Sequence, residues 1–178
     1  MGVINSKTLK QFQKELGSKN PTPGGGVVAA LSGAFAASLI EMVCNLTLGK
    51  EKYEKNKKDV IKIHKDVLEL KEKLTKLAEE DKKAYDKVLI AYRLQPENKK
   101  RKQEIIKALR YAIAVPMEVR KISQEVERLA YRISKIGNKN ALSDAKTAIY
   151  LAHASGKSAL ENIKINKKSL ADLSRSDL

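Results

Sequence analysis

The chain has 178 residues, a length that suits one folded domain, and we expect a single domain over residues 1–178. Hydrophobic residues make up 42% and charged residues 32%, a balance that excludes an intrinsically disordered chain. The formal net charge of +15 predicts attraction to polyanions, although a solvated lysine coat accounts for it equally well.

Proline and glycine occur at a few points and alternating β-branched residues are nearly absent, which predicts an all-helical protein. The first predicted helix is KTLKQFQKEL, capped by Ser6 and ended by Gly17. The loop GSKNPTPGGG follows, because its prolines and glycines forbid a regular element. The second predicted helix runs from about Val27 to Leu48 and stops at Gly49.

The third predicted helix is long, from about Lys50 to Leu94. Its apolar residues recur at close to the coiled-coil spacing, and one acid, Asp81, lies on the same stripe. The other faces are nearly all lysine and glutamate, which is typical of a bundle helix with one side in water. Pro96 separates it from a second long helix, about Glu97 to Ile136, whose apolar residues keep helical spacing from Ile105 to Ile133. Pro116 predicts a kink in this helix.

The sequence GNKN ends this fourth helix, and Asn140 or Ser143 can cap a fifth one that ends near Asn162 and precedes a short basic tail. The expected fold is an all-α, up-and-down bundle of about five main helices, two of them long. Small residues on the second helix match small residues on the fifth, which predicts close packing of the two. They are Ala29, Ala30, Gly33, Ala34, Ala36, Ala37 and Ser38 on one helix, and Ala141, Ala145, Ala148, Ala152, Ser155 and Ala159 on the other.

The glycines that introduce the second helix raise several alternatives. A membrane span is disfavoured because the uncharged run has 14 residues before Glu41, whereas about 20 are needed. A dinucleotide-binding turn is disfavoured because no strand precedes GGGVVA. A purely structural turn remains open, beside a ligand site in which free backbone N–H groups bind an anion or a polarised carbonyl. An unusually apolar helix with one acid also favours the core of an oligomer, and we expect a homodimer.

Asp81 is the most informative single residue of the sequence. An aspartate that faces the interior loses hydration, so its pKa should rise toward neutrality unless a cation or hydrogen-bond donors keep it charged. Such a carboxyl can exchange protons at physiological pH. The alternative is a buried acid paired with lysine or arginine, or an acid at the rim of the bundle. Glu41 raises the same question, whereas Asp144 can be explained as a carboxylate that caps the fifth helix.

The single cysteine and the two histidines limit which other kinds of functional site the sequence can contain. Cys44 is the one cysteine, which excludes an internal disulfide and fits a reducing cytoplasm, and we expect an inert buried thiol. His64 and His153 lie on helix faces without the spacing of a metal site, so we predict no bound metal.

Four blocks occur in order along nearly the whole chain: PTPGGGVVAALSGAFAASLIEMVCNLTLGKEKYE, AEEDKKAYDKVLIAYRL, AVPMEV and GNKNALSDAKTAIYLAHASGKSALENIKIN. Together they resemble the cyclodeaminase domain of the formiminotransferase-cyclodeaminase family, which includes stand-alone methenyltetrahydrofolate cyclohydrolases. The resemblance implies an all-α bundle that forms dimers or larger rings. It also implies a tetrahydrofolate derivative bound between helices or subunits, with no metal or redox cofactor.

Two reactions follow from this resemblance. A cyclodeaminase closes 5-formiminotetrahydrofolate to 5,10-methenyltetrahydrofolate and releases ammonia, whereas a cyclohydrolase opens the methenyl ring with water to give 10-formyltetrahydrofolate. Asp81 matches the carboxylate proposed as the catalytic group of the family, and it would act as an acid or as a base. Contacts to the pterin, the one-carbon unit or the glutamate tail are implied for Gly24, Gly25, Gly26, Asn45, Lys50, Asn140, Ser143 and Asp144.

The basic surface would then attract the glutamate or polyglutamate tail of a folate. Two alternatives without catalysis stay open. A basic helical module that binds nucleic acid is disfavoured, because the sequence has no recognisable helix-turn-helix or zinc motif and its lysines spread over many helices. A purely structural helical oligomer would leave Asp81 and the glycine turn without a function.

Overall fold

The computed structural model describes residues 6–175, and all regular structure in that range is helical. The α-helices in chain order are α1 (Leu9–Leu16), α2 (Gly25–Thr47), α3 (Lys57–Tyr92), α4 (Arg101–Ile136) and α5 (Leu142–Arg175). The all-helical prediction is confirmed. Three helices are long rather than two, with 36, 36 and 34 residues in α3, α4 and α5. The described residues do not include 1–5, which begin the predicted domain, or 176–178, which end the predicted basic tail.

Helix α2 is the central element, and it packs against α3, α4 and α5. Its small residues are buried as predicted, with the exception of Ser38. All six small residues predicted on the fifth helix are also buried, although Ala141 lies in the turn just before α5. Ser155 of α5 donates a hydrogen bond to the backbone oxygen of Ala29 at 2.6 Å, which shows how closely the two helices approach. The apolar positions predicted on α4 are also buried, from Ile105 to Ile133. Small side chains therefore allow the tight contact at the centre of the bundle.

Several helix ends differ from the prediction, because local side chains compete with the helical backbone. Thr8 rather than Ser6 caps α1, through a reciprocal pair of hydrogen bonds with Gln11. The chain turns at Gly49, whose φ of +76° favours glycine, so α3 begins only after a short 3₁₀ turn, Glu51–Asn56. The predicted continuous helix from Lys50 is therefore wrong in its first turns.

The start of α4 and the turn that follows it also differ from the prediction, because side chains form hydrogen bonds with the backbone there. The side-chain oxygen of Asn98 accepts a hydrogen bond from the backbone N–H of Lys100 at 2.9 Å, so α4 begins at Arg101 and not at Glu97. After α4, Asn138 caps a 3₁₀ turn at Lys139–Ala141, and α5 begins at Leu142. Asn140 therefore lies in the turn and Ser143 lies inside α5, so neither residue caps α5 as predicted.

Helix α5 continues well beyond the predicted end near Asn162. Ala159 and Ile163 are buried, and the later residues Leu170 and Leu173 pack against the end of α3 and the start of α4. The polar run NIKINKKS conceals this periodicity in the sequence. The first residues of α2 lie beside the second half of α3. The three long helices continue past this point without a fourth helix between them, and a cavity remains there.

One face of α2 is apolar but not covered by the bundle. It carries the exposed side chains of Phe35 (57% exposed), Met42 and Leu46, with Leu31 and Leu39 half-buried beside them. By length and composition α2 could cross a membrane, yet more than half of its most apolar window, 56%, is buried inside the bundle, as in the core helix of a folded domain. The exposed face is therefore a candidate contact surface.

Candidate active site

A cavity of about 370 Å³ lies at the amino end of α2, a volume in the range of small-molecule sites. The glycine turn forms its floor, and the second half of α3, the first half of α4 and the last third of α5 form its walls. The lining residues are Pro21, Thr22, Gly24, Gly25, Gly26, Asp81, Ala84, Tyr85, Val88, Tyr92, Leu109, Ala112, Asn162, Ile165, Asn166 and Ser169. The structure thus brings the predicted catalytic carboxyl and all three predicted glycines to one cavity.

The carboxyl of Asp81 caps α2 from a neighbouring helix. Gly24 precedes α2 and has no side chain that could satisfy the first backbone N–H groups. Instead, Asp81 of α3 accepts a hydrogen bond from the backbone N–H of Val27. The next N–H, that of Val28, is already bonded to the backbone oxygen of Gly24 at 3.1 Å. The positive end of the α2 dipole and the Asp81 carboxyl therefore meet at the cavity floor.

Burial raises the pKa of Asp81 from 3.8 to about 6, although the hydrogen bond from Val27 acts in the opposite direction. No basic side chain forms an ion pair with Asp81 among the described residues, so the alternative of a buried carboxylate neutralised by lysine or arginine is not realised there. A pKa near 6 leaves the carboxyl mostly ionised at neutral pH, with about one tenth of the molecules carrying it in the neutral form. Asp81 can therefore accept a proton and return it at physiological pH.

Gly26 permits this arrangement because it lacks a β-carbon. A Cβ added at Gly26 would lie closer than 3.0 Å to both oxygens and the carboxyl carbon of Asp81. A Cβ at the neighbouring Gly25 would meet only the side-chain nitrogen of Asn162, at 3.9 Å. The close approach of α2 to the carboxyl therefore requires glycine at position 26 and not at position 25.

Further polar groups in the cavity were not predicted from the sequence. The hydroxyl of Thr22 is buried and has no hydrogen-bond partner within residues 6–175. Asn162 and Asn166 lie one turn apart on α5, where their side-chain nitrogens are held by backbone oxygens. The sequence could have indicated both asparagines, because the spacing of apolar residues along α5 places Asn162 and Asn166 on the face turned to the bundle. Tyr85 and Tyr92 of α3 also line the cavity, and the sequence did not predict that role.

The remaining predicted binding residues lie at the opposite end of α2. Asn45 is exposed on its last turn, and a rise of about 1.5 Å per residue places it about 28 Å from Gly26. The turn between α4 and α5 is fixed there, because the backbone N–H of Asn138 donates to the hydroxyl of Thr47 at 2.9 Å. Within one chain these residues cannot contact a ligand in the Asp81 cavity, and their binding role stays a prediction: Asn45, Lys50, Asn140, Ser143 and Asp144.

The other candidate residues have structural explanations. Glu41 forms an ion pair with Lys71 at 2.5 Å. Cys44 is fully buried, and burial together with the nearby Glu41 raises the pKa of its thiol to about 12. His64 is half-buried on α3, and His153 lies 3.2 Å from a carboxylate oxygen of Glu127 on the surface. No cluster of three or more metal-ligating side chains occurs between residues 6 and 175.

Comparisons with known proteins agree with this architecture. The family model described as formiminotransferase-cyclodeaminase matches residues 8–177. A methenyltetrahydrofolate cyclohydrolase from Methylorubrum extorquens is 39% identical over 174 residues, which cover 96% of this chain and 84% of that protein. The formimidoyltransferase-cyclodeaminase of Rattus norvegicus is 28% identical, and this chain spans only 31% of its length. The crystal structure of a formiminotetrahydrofolate cyclodeaminase from Thermotoga maritima superposes with a TM-score of 0.87 and 33% identity, covering 98% of this chain and 85% of that one.

Proposed function

Because this chain belongs to the formiminotransferase-cyclodeaminase family, we propose that it is a folate one-carbon enzyme with Asp81 as its acid–base group. The observation that carries the proposal is the half-buried Asp81 carboxyl, with a pKa of about 6, placed at the α2 amino end inside a cavity of small-molecule size. A purely structural cap would not need an adjoining cavity. The proposal therefore assigns both the carboxyl and the glycine turn to one reaction.

The first candidate reaction is hydrolysis of 5,10-methenyltetrahydrofolate, which the cyclohydrolase relative at 39% identity supports. The ionised Asp81 takes a proton from a water molecule as its oxygen bonds to the methenyl carbon. The bond from that carbon to N5 then breaks, and N5 receives the proton from Asp81. The hydroxyl proton of the adduct leaves to solvent, so the products are 10-formyltetrahydrofolate and one proton.

The second candidate reaction is ring closure of 5-formiminotetrahydrofolate, which the similarity to the Thermotoga maritima cyclodeaminase supports. In that reaction N10 attacks the formimino carbon and its proton passes to the formimino nitrogen. The neutral Asp81 gives a second proton to the same nitrogen as its bond to the carbon breaks. Ammonia leaves and the methenyl bridge remains. Both reactions move protons and water without a change of oxidation state, so the proposal includes no resident metal or redox cofactor. We place the reaction in the cytoplasm.

The proposal includes a homodimer that forms through the exposed apolar face of α2. The surface of this chain is otherwise rich in charge, and a row of exposed apolar side chains on one helix is typical of an interface. A two-fold axis near the middle of α2 would pair the helix with its copy in the antiparallel direction. The Asn45 end of one copy would then lie beside the Gly26 end of the other. Such a dimer would unite the two groups of predicted binding residues.

The basic surface gives the glutamate tail of the folate a route out of the cavity. Asn162 and Ile165 line the cavity and also a shallow depression that contains Lys164 and Lys168. Glu161 lies in the same depression and pairs with Lys164, which leaves Lys168 as the lysine there without a carboxylate partner among residues 6–175. We expect the carboxylates of the tail to follow this side of α5, and weaker binding at high ionic strength. The experiment is salt titration of affinity for monoglutamate and polyglutamate forms, and equal affinities at every salt concentration would contradict this route.

The decisive assay for the proposed function uses two substrates with one optical signal. Purified protein is mixed with 5,10-methenyltetrahydrofolate, and decay of the methenyl absorbance faster than in buffer identifies the cyclohydrolase. Growth of the same absorbance from 5-formiminotetrahydrofolate identifies the cyclodeaminase. Acceleration of neither reaction, with the protein folded, would contradict the proposal and favour a binding or structural module.

A further inference from the structure

Pro116 interrupts the hydrogen-bond ladder of α4 next to the cavity. In a regular helix the N–H of residue 116 would donate to the backbone oxygen of Ala112, but proline has no N–H. The oxygen of Ala112 instead accepts a hydrogen bond from the side-chain nitrogen of Asn166, on α5, at 2.7 Å. A backbone group that the proline leaves unpaired is thus satisfied by a side chain that lines the cavity.

This contact fixes which end of the Asn166 amide is available to a ligand. A backbone oxygen can only accept a hydrogen bond, so the NH₂ group of Asn166 must face Ala112 and its oxygen must face away. Asn162 is held in the same manner, since its side-chain nitrogen donates to the backbone oxygen of Ser158 at 2.9 Å. Each of these two asparagines on the cavity wall therefore has its NH₂ group turned toward a backbone oxygen, which leaves the side-chain oxygen facing away as an acceptor.

We propose that Pro116 is a positioning residue, which holds Asn166 so that its side-chain oxygen accepts a hydrogen bond from an N–H group of the substrate. The identity of the substrate rests on the proposed function. The pyrimidine part of a reduced pterin presents ring and exocyclic N–H groups, and these match fixed acceptors on a cavity wall. A residue other than proline at position 116 would restore the backbone N–H, which would compete with the Asn166 amide for the oxygen of Ala112. The side chain of Asn166 would then be held less firmly and could present its donor group instead.

Packing alone does not account for the arrangement. Pro116 is buried in the interior of a 36-residue helix, where proline is the most unfavourable residue for the helix itself. Alanine at this position would complete the ladder and stabilise α4. If Pro116 serves to orient the Asn166 amide, its replacement should stabilise α4 and at the same time weaken the binding of substrate.

The test compares Pro116→Ala, Asn166→Leu and the double variant with the wild-type protein. Met117→Ala is the matched control, because Met117 is the next residue of α4 and its side chain is 51% exposed. One neutral hydrogen bond corresponds to about a three- to tenfold change in affinity. We expect Pro116→Ala to raise KM for the turned-over folate, and Kd for tetrahydrofolate, about three- to tenfold, with kcat within about twofold of the wild-type value.

The double variant separates positioning from direct contact. In the Asn166→Leu background, Pro116→Ala should change KM by less than about twofold, because the side chain that it orients is gone. Equal KM increases in both backgrounds would overturn the proposal, and so would an unchanged KM in the Pro116→Ala single variant. Met117→Ala should leave both kinetic constants unchanged.

A measurement without substrate tests the orientation by itself. The side-chain NH₂ signals of Asn166, assigned by their loss in Asn166→Leu, should shift in the ¹⁵N spectrum of Pro116→Ala and should exchange faster with solvent. Unchanged signals would overturn the proposed hold of Pro116 on Asn166. If the wild-type protein neither binds nor turns over a folate, the proposed function and the pterin assignment fail together, whereas the spectra still decide the orientation.

Discussion

Replacement of Asp81 by asparagine should make the protein more stable at neutral pH while it removes the acid–base group. The pKa of Asp81 is raised from 3.8 to about 6 by burial. Asparagine has nearly the same shape and keeps an oxygen that can accept the hydrogen bond from the backbone N–H of Val27. The substitution therefore removes the buried charge but not the cap of α2.

The raised pKa fixes the size and the direction of the effect. A rise of the Asp81 pKa from 3.8 to about 6 means that the folded protein is about 3 kcal/mol less stable when Asp81 is ionised. The folded state binds the proton more tightly, so the penalty is fully present above about pH 6. It decreases as the pH falls from about 6 and is absent below about pH 4. The new amide group must also find hydrogen-bond partners. We therefore expect Asp81→Asn to raise the free energy of unfolding by about 1–3 kcal/mol at pH 7.5 and not to change it at pH 4.

Thermal and chemical denaturation of both proteins across this pH range provides the assay. For a chain of this length the expected gain corresponds to a rise of Tm by about 3–9 °C at pH 7.5. Asp86→Asn is the control, since Asp86 is exposed on the same helix and its replacement should change stability by less than about 0.5 kcal/mol. If Asp81→Asn were destabilising by the same amount at every pH, the carboxylate would be a structural cap, and the reasoning from burial would be refuted.

Three further predictions concern the glycine turn, the dimer and the pH dependence of turnover. Gly26→Ala should destabilise the protein by about 1–3 kcal/mol and abolish turnover, because its Cβ would collide with Asp81, whereas Gly25→Ala should behave like the wild type in denaturation; equal stability of the two variants would contradict the close approach. Phe35→Lys should convert a dimer into a monomer in sedimentation experiments, with Ile61→Lys, an exposed apolar residue on α3, as the control; a wild-type monomer would contradict the proposed interface. Turnover should rise with pH to a plateau above about pH 6 if Asp81 acts as a base, and should fall above about pH 6 if it acts as an acid, so a profile without an inflection near pH 6 would remove the carboxyl from the rate-determining step.

The sequence predicted the features that depend on spacing within a single helix. The apolar period of α4, the small residues of α2 and α5, and the unusual position of Asp81 on an apolar stripe all follow from local patterns. The contact between Asp81 and Gly26 could not be predicted in the same way. It depends on where α2 begins along the length of α3, and 55 residues separate the two positions in the chain.

The far wall of the cavity was missed for a related reason. Polar residues after Asn162 resemble a tail when each is considered alone, but Leu170 and Leu173 are anchored by the ends of α3 and α4. That anchor keeps α5 helical through Asn166. The hydrogen bond from Asn166 to Ala112 could not be predicted either, because a proline in the sequence shows which backbone oxygen is unpaired but not which side chain reaches it. Tertiary contacts therefore decided the composition of the site.

The most direct test of the account is the initial rate of the wild-type protein and of Asp81→Asn, with the folate that the wild type turns over, at neutral pH. We expect the wild-type protein to accelerate the change in methenyl absorbance, and Asp81→Asn to be at least about 100-fold slower. Its circular dichroism spectrum and Tm should show that it is folded. A folded Asp81→Asn variant with a rate within about twofold of the wild type would contradict the central role assigned to this carboxyl.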